Sequence, residues 1–176
     1  MNHFFTILLV VELFAGHSDR EPLAQPECEV EFRIDNSGIE VYGRLLAKAE
    51  ISFNENKLKE SAITAKAFPT SISTGIAIRD KHLMRNDYFH VDLFPEITLT
   101  SKSFKKLSQS KFVGSFILTI KNFKKEITMP FSMVHKENAT IYSGKFEINR
   151  LDFSLGEESL LLDEKVKIIV TARVQD

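Results

Sequence analysis

From Cys28 the chain is written with a period of two. Val30, Phe32 and Ile34 alternate with Glu29, Glu31 and Arg33, and Asn36-Ser37-Gly38 supplies a turn. Ile39 and Val41 resume the alternation, Gly43 reads as a bend, and Ala47, Ala49, Ile51 and Phe53 then oppose Lys48, Glu50 and Ser52. After a turn at Asn54-Glu55-Asn56, Ile63, Ala65 and Ala67 share a face up to Pro69. Later strands are predicted from Ile97 and Leu99, over Phe112 to Ile120, through Ile127, Met129, Phe131 and Met133, over Ile141 to Ile148, and over Val166 to Val174. Phe112 to Ile120 is apolar on both faces in part, which predicts a strand covered on both sides. Pro130 falls on the face opposite Met129 and Phe131, where an edge or bulge would excuse it.

One stretch breaks this pattern. Between Ser71 and Pro95, after Thr74-Gly75, Ile78, Leu83 and Met84 stand at helical spacing among Arg79, Asp80, Lys81 and Arg85. A short helical excursion around residues 75–90, set into a run of strands, is expected to close one end of a sandwich or barrel. The fold class is therefore all-β: an antiparallel barrel of roughly eight strands, closed or nearly so, because closure removes exposed edges. Eight strands leave room inside for packed side chains or for one elongated ligand, and periodicity does not choose between them.

Composition narrows the function. The chain has 176 residues, enough for one domain with a sizeable core. Its 23 Lys and Arg nearly balance 24 Asp and Glu, so no global field points to nucleic acid. Fifteen Phe and no Trp suit either a packed core or a cavity with an apolar lining. The single cysteine, Cys28, has no partner for an internal disulfide or a structural zinc site. At the N-terminus, FFTILLVV at residues 4–11 is too short to span a bilayer and fits the core of a secretory signal, with Gly16 and Ser18 suiting cleavage before Asp19. This divides the chain into a signal peptide at 1–18, a proline-rich linker at 19–27 and a barrel domain at 28–176. The mature protein is then expected to be exported, and to stay in the cytoplasm if the first segment is instead a strand or core helix.

Candidate chemistry is sparse. Asp80, His82, Asp87, His90 and Asp92 are metal-ligand types, but their spacing matches no ligand motif, and helix capping and loop tethering account for them. Ser101 or Ser103 with His82 would be a hydrolase reading, yet no strained Gly-x-Ser-x-Gly turn presents either serine. Arg150 and Asp152 read as an ion pair on one strand face, with phosphate contact by Arg150 as the alternative. Lys121, Lys124 and Lys125 form a basic turn, solvated or set against anionic lipid.

Several motifs recur in order: EVEFRIDNSGIEVYGRL at 29–45, SISTG at 71–75, RDKHL at 79–83, NDYF at 86–89 and FPEIT at 94–98, then FILTIKNFKKEITMPF at 116–131 and FEINRLDFSL at 146–155. Together they resemble the YceI-like, polyisoprenoid-binding family over residues 28–174. The chain departs from the family pattern at His90, at Asn122 and in the linker, which offers no counterpart to the family's first strand. The resemblance implies a lipocalin-like barrel, bacterial and periplasmic or secreted, that carries an isoprenoid chain without catalysis. No cofactor is implied beyond such a lipid, and the protein is expected as a monomer or homodimer with at most transient membrane contact. The residues expected to line the lipid site are Phe32, Ile34, Ile51, Phe53, Ala65, Phe89, Phe116, Leu118, Phe131, Phe146 and Ile168, with His82 and Arg150 at the head group. The competing reading is the same barrel filled by its own side chains, acting as an interaction or structural module.

Overall fold

A computed structural model describes residues 28–175, so the expected signal peptide and linker at 1–27 lie outside the described residues. Eight strands appear among them: β1 (Cys28–Asn36), β2 (Ile39–Ser52), β3 (Ala62–Ala67), β4 (Ile97–Ser108), β5 (Lys111–Ile120), β6 (Phe123–Lys136), β7 (Ala139–Asn149) and β8 (Lys165–Gln175). Each pairs antiparallel with the next, and β8 returns to β1, giving a closed up-and-down barrel. The seam that lacked a sequence counterpart is closed by Cys28 to Arg33, whose partners run from Ala172 to Lys167. The short helix α1 (Ala77–Leu83) lies in the β3–β4 connection.

Two local expectations change. Gly43 makes no bend, since β2 runs unbroken through it. Gly43 is paired with Phe32, and a Cβ there would run into the Phe32 ring. The missing side chain makes room for an aromatic ring inside the barrel, and the backbone stays regular. On β5 only Phe112, Gly114, Phe116, Leu118 and Ile120 are buried, while Val113, Ile117 and Thr119 are half-buried. Cross-strand neighbours such as Thr100 and Glu126 beside Ile117 account for that partial cover, without a second layer of chain.

Because strand direction alternates, the connections at 37–38, 68–96, 121–122 and 150–164 share one end of the barrel. The other end carries the connections at 53–61, 109–110 and 137–138. The second end is filled. Phe53 makes edge-to-face contacts with Phe104, Phe112, Phe131 and Tyr142 at centroid distances of 5.2, 4.9, 5.4 and 6.0 Å. Phe112 stacks on Phe131 at 5.5 Å, and Met129 and Met133 complete a buried cluster with them. Such pairs contribute about 0.5–1.5 kcal/mol each beyond their burial, so Phe53 is the hub of the core. Pro130 is exposed, and the β6–β7 ladder begins only at Phe131 with Gly144, so the proline's missing donor breaks no bond there.

Two expectations follow. Phe53 is only partly buried, so Phe53→Ala should cost about 2–3 kcal/mol in denaturant unfolding, below the range for a fully buried aromatic. Cys28 is fully buried, and burial, then the neighbouring Glu29 charge, pushes its thiol up to about 11. Only the thiolate reacts, so the native protein at pH 8 should leave a thiol reagent unconsumed and take up one equivalent once unfolded.

Candidate functional site

The half of the barrel under the long connections is hollow. A cavity of about 310 Å³ runs down from that end. Its wall comes from inward positions of seven strands, including Val30, Phe32 and Ile34 on β1, Val41, Leu45 and Ala47 on β2, and Ala65 and Ala67 on β3. Leu118, Phe146, Ile148, Ile168 and Val170 continue it on the far side. These side chains are mostly aliphatic or small, and they do not meet across the barrel as the phenylalanines below them do.

The mouth is built by the two long connections. In the first, the chain leaves β3 and runs back along the free edge of β2. The Phe68 N–H donates to Leu46 O at 3.0 Å, Ser71 Oγ accepts from Leu46 N–H at 2.8 Å, and Ser73 and Arg44 exchange two backbone bonds of 3.0 Å. Asp80 then accepts from the Thr74 N–H at 2.9 Å and from its hydroxyl, which ties α1 back to the segment before it. On α1, Arg79, His82 and Leu83 share the face that lines the cavity, whereas Ile78 is exposed. In the second, residues Arg150–Phe153 form one 3-10 turn, and Asn149 Oδ1 accepts from Leu151 N–H at 2.8 Å to start it. This turn covers the opening left where β6 and β7 part beyond Phe131 and Gly144, with Phe153 only 1% exposed. The two connections meet where Gly156 N–H donates to Asp87 O at 2.8 Å. Gly156 has φ of +73°, and a Cβ there would run into the Tyr88 ring, so glycine is required on both counts.

Among the described residues the cavity's polar groups are Asn36, Thr74, Arg79, His82, Tyr88 and Arg150, with no acidic side chain in its lining. Arg150 is only 2% exposed. Its Nε donates to Asp163 O at 2.9 Å, Nη1 to Leu155 O at 2.9 Å and Nη2 to Leu162 O at 3.4 Å. The expected ion pair with Asp152 does not form. Both residues lie in the 3-10 turn, not on a strand, and Asp152 pairs with Lys125 at 3.2 Å. Arg150 therefore clamps the 150–164 connection through backbone carbonyls and makes no ion pair among the described residues. Arg79 donates from Nε to Thr74 Oγ1 and from Nη2 to Thr74 O, both at 2.8 Å, and it too has no carboxylate partner among the described residues. The basic turn is partly engaged as well, since Lys121 donates to Ser154 O at 2.9 Å.

His82 Nε2 sits 2.6 Å from Asp87 Oδ2, and its ring meets Tyr88 edge-on at 5.1 Å. The hydrogen bond from His82 is the main cause that holds the Asp87 carboxyl below its usual range. Asp80, His82, Asp87, His90 and Asp92 do not gather into a ligand set among the described residues. Ser101 Oγ accepts from Ile63 N–H at 2.9 Å within the β3–β4 region, with no histidine beside it.

Of the residues expected at the lipid site, Phe32, Ile34, Ala65, Phe89, Leu118, Phe146 and Ile168 line the cavity, with His82 and Arg150 at its mouth. Ile51, Phe53, Phe116 and Phe131 lie in the filled half below it. Sequence reasoning passed over Arg79, although its spacing to His82 and Leu83 on one helix already put the three on one face.

A family model described as the YceI-like domain matches residues 23–174. A UPF0312 protein of Staphylococcus aureus is 45% identical over 65 residues, covering 37% of this chain and 35% of that protein. The aligned part thus spans about a third of the length of that relative. Among solved structures, BcnA of Burkholderia cenocepacia superposes with a TM-score of 0.79 at 17% identity, covering 84% of this chain and 96% of that one. A polyisoprenoid binding domain from Saccharophagus degradans, implicated in plant cell wall breakdown, gives 0.67 at 14% identity, over 85% and 94% of the two chains.

The Asp87 pair has a pH signature. Its folded pKa is depressed, so its contribution is present above the ordinary carboxylate value of 3.8 and is lost as pH falls through the lower folded value. Asp87→Asn should therefore lower the melting temperature slightly at pH 6, and the difference from wild type should vanish in strong acid.

Proposed function

The chain belongs to the YceI-like domain family, and from that premise we propose that it is a non-enzymatic binding protein for an isoprenoid or similar single-tailed amphiphile. The observation that carries this reading is the cavity itself: apolar along its length, blocked below by aromatic rings, and polar only at the mouth. That distribution matches a molecule with a hydrocarbon tail and one polar end. The related domain named as polyisoprenoid binding supports the same ligand class.

The tail lies among Phe32, Ala65, Leu118, Phe146 and Ile168, and the head meets Arg79, His82 and Arg150. Two arginines with no carboxylate partner among the described residues favour a head group rich in acceptor oxygens. Tail burial alone does not make a tight sink. Each methylene contributes about 0.8 kcal/mol against water, but against a membrane interior the transfer is nearly neutral. The protein therefore exchanges its ligand with lipid phases, and shape and head group set what it holds. The apolar run at residues 4–11 supports export, and the intact mass of protein from its native host should then lack roughly the first 18 residues.

The test of the binding reading is direct. An organic extract of the purified protein, read by mass spectrometry, should yield a stoichiometric amphiphile. Ala65→Phe places a ring inside the cavity wall and should abolish that yield while the melting temperature holds. A filled interior would instead lose about 1–3 kcal/mol to overpacking and have no lipid to release. An empty wild-type extract together with a destabilised Ala65→Phe would favour the packed module.

A further inference from the structure

Exposed apolar side chains are unevenly spread over this barrel. Ten large ones are exposed among the described residues, and six of them, Ile39, Ile76, Ile78, Leu93, Leu160 and Leu161, stand in or beside the connections at the mouth end. Leu107 and Val134 are the two near the filled end. Apolar exposure gathered in one place marks a contact surface with a protein or a membrane.

Backbone bonds hold this tract together. Ser37 N–H donates to Leu161 O at 2.7 Å, which joins the two leucines to the first hairpin and so to Ile39. β2 leaves that hairpin with Ser73 paired to Arg44 on its edge, and Ile76 and Ile78 follow Ser73. The chain is fixed while the side chains point away from the fold, Leu160 at 105% exposure and Ile78 at 79%. The tract is also continuous with the opening. Ile78 precedes Arg79 and Leu161 precedes Leu162, and both Arg79 and Leu162 line the cavity. The same two segments turn one side chain inward and its neighbour outward.

Charge selects the kind of surface. Glu157, Glu158, Asp163 and Glu164 stand within four residues of Leu160. Arg85 and Lys125 at this end already face carboxylates, Asp87 at 3.9 Å and Asp152 at 3.2 Å. Such a rim repels an anionic bilayer and suits zwitterionic head groups, whose outermost group is an ammonium.

We infer that the mouth end docks on a zwitterionic bilayer, with Ile39, Ile78, Leu160 and Leu161 entering the interface. The inference rests on the binding reading above and adds the surface across which ligand is exchanged.

The experiment is flotation of the full-length protein with phosphatidylcholine vesicles. Wild type should float. Leu160→Ser with Leu161→Ser should weaken binding at least about tenfold, because two side chains leave the interface. Leu107→Ser with Val134→Ser removes apolar surface at the filled end and should change binding less than about twofold. All four positions are exposed, so circular dichroism should show unchanged folds. Vesicles with equal parts of phosphatidylglycerol should bind less at low salt, and added salt should narrow the difference. A wild type that does not float overturns the docking surface. Binding that both variant pairs leave unchanged does so too, and places attachment elsewhere in the chain, residues 4–11 included. Tighter binding to anionic vesicles that salt abolishes overturns it in favour of the lysines. Self-association without flotation, lost in Leu160→Ser with Leu161→Ser, overturns it in favour of a second copy of the chain. The organic extract separates the two readings. Amphiphile recovered from a protein that does not float leaves ligand binding standing, whereas flotation with an empty extract keeps the docking surface and removes the ligand.

Discussion

An eight-stranded barrel has an interior of nearly constant width, so what fills it depends on the volume of the side chains at each level. Here that volume is graded along the axis. Toward the short turns, Phe53, Phe104, Phe112, Phe116 and Phe131 with two methionines meet across the interior. Toward the long connections larger inward residues such as Phe32, Leu118 and Phe146 are interspersed with Val30, Val41, Gly43, Ala47, Ala65, Ala67 and Val170, whose small size leaves space between the walls. The cavity is the difference between a fixed width and a shrinking lining. Neither a bent backbone nor an inserted element is needed to make it.

The same gradient sorts polarity. A buried guanidinium costs several kcal/mol in lost hydration unless partners surround it. Arg150 is therefore found where chain leaves the barrel wall and carbonyls come free, and three carbonyls of the 150–164 connection receive it. The two long connections are stitched to each other at Gly156 and Asp87, to the first hairpin at Leu161 and Ser37, and to β2 through residues 68–73. Loops so tied hold Arg79 and His82 at fixed places on the rim. An opening with fixed polar groups discriminates between head groups more sharply than a flexible one, because less ordering entropy is lost on binding.

The fold was largely legible because alternation in one-letter code states which face a residue takes. It does not state the level. Ile51, Phe53, Phe116 and Phe131 share the inward face with Phe32, Ala65 and Leu118, and sequence reasoning grouped them together. Register separates them: Ala65 stands beside Leu99 and Leu118, whereas Phe131 pairs with Phe112 and Gly144 further toward the short turns. Register depends on turn lengths and on the bulge near Ser101 and Ser103, and neither can be counted off along one strand. Arg150 misled for a related reason. The strand alternation that suggested its pairing with Asp152 stops at Asn149, where the side-chain cap turns the chain.

The hollow half also bears on stability. Side chains that face open space instead of packed neighbours lose dispersion contacts. The hollow half therefore contributes less packing to the fold than the aromatic half does. A barrel hollow from end to end would be hard to keep folded. Closing every edge and concentrating the aromatic rings around Phe53 at one end offsets the deficit while the other end stays open. The depth of the tunnel and the stability of the fold are then two readings of one quantity, the length of barrel given over to phenylalanine. Each residue moved from core to wall lengthens the tail that fits and weakens the structure that holds it.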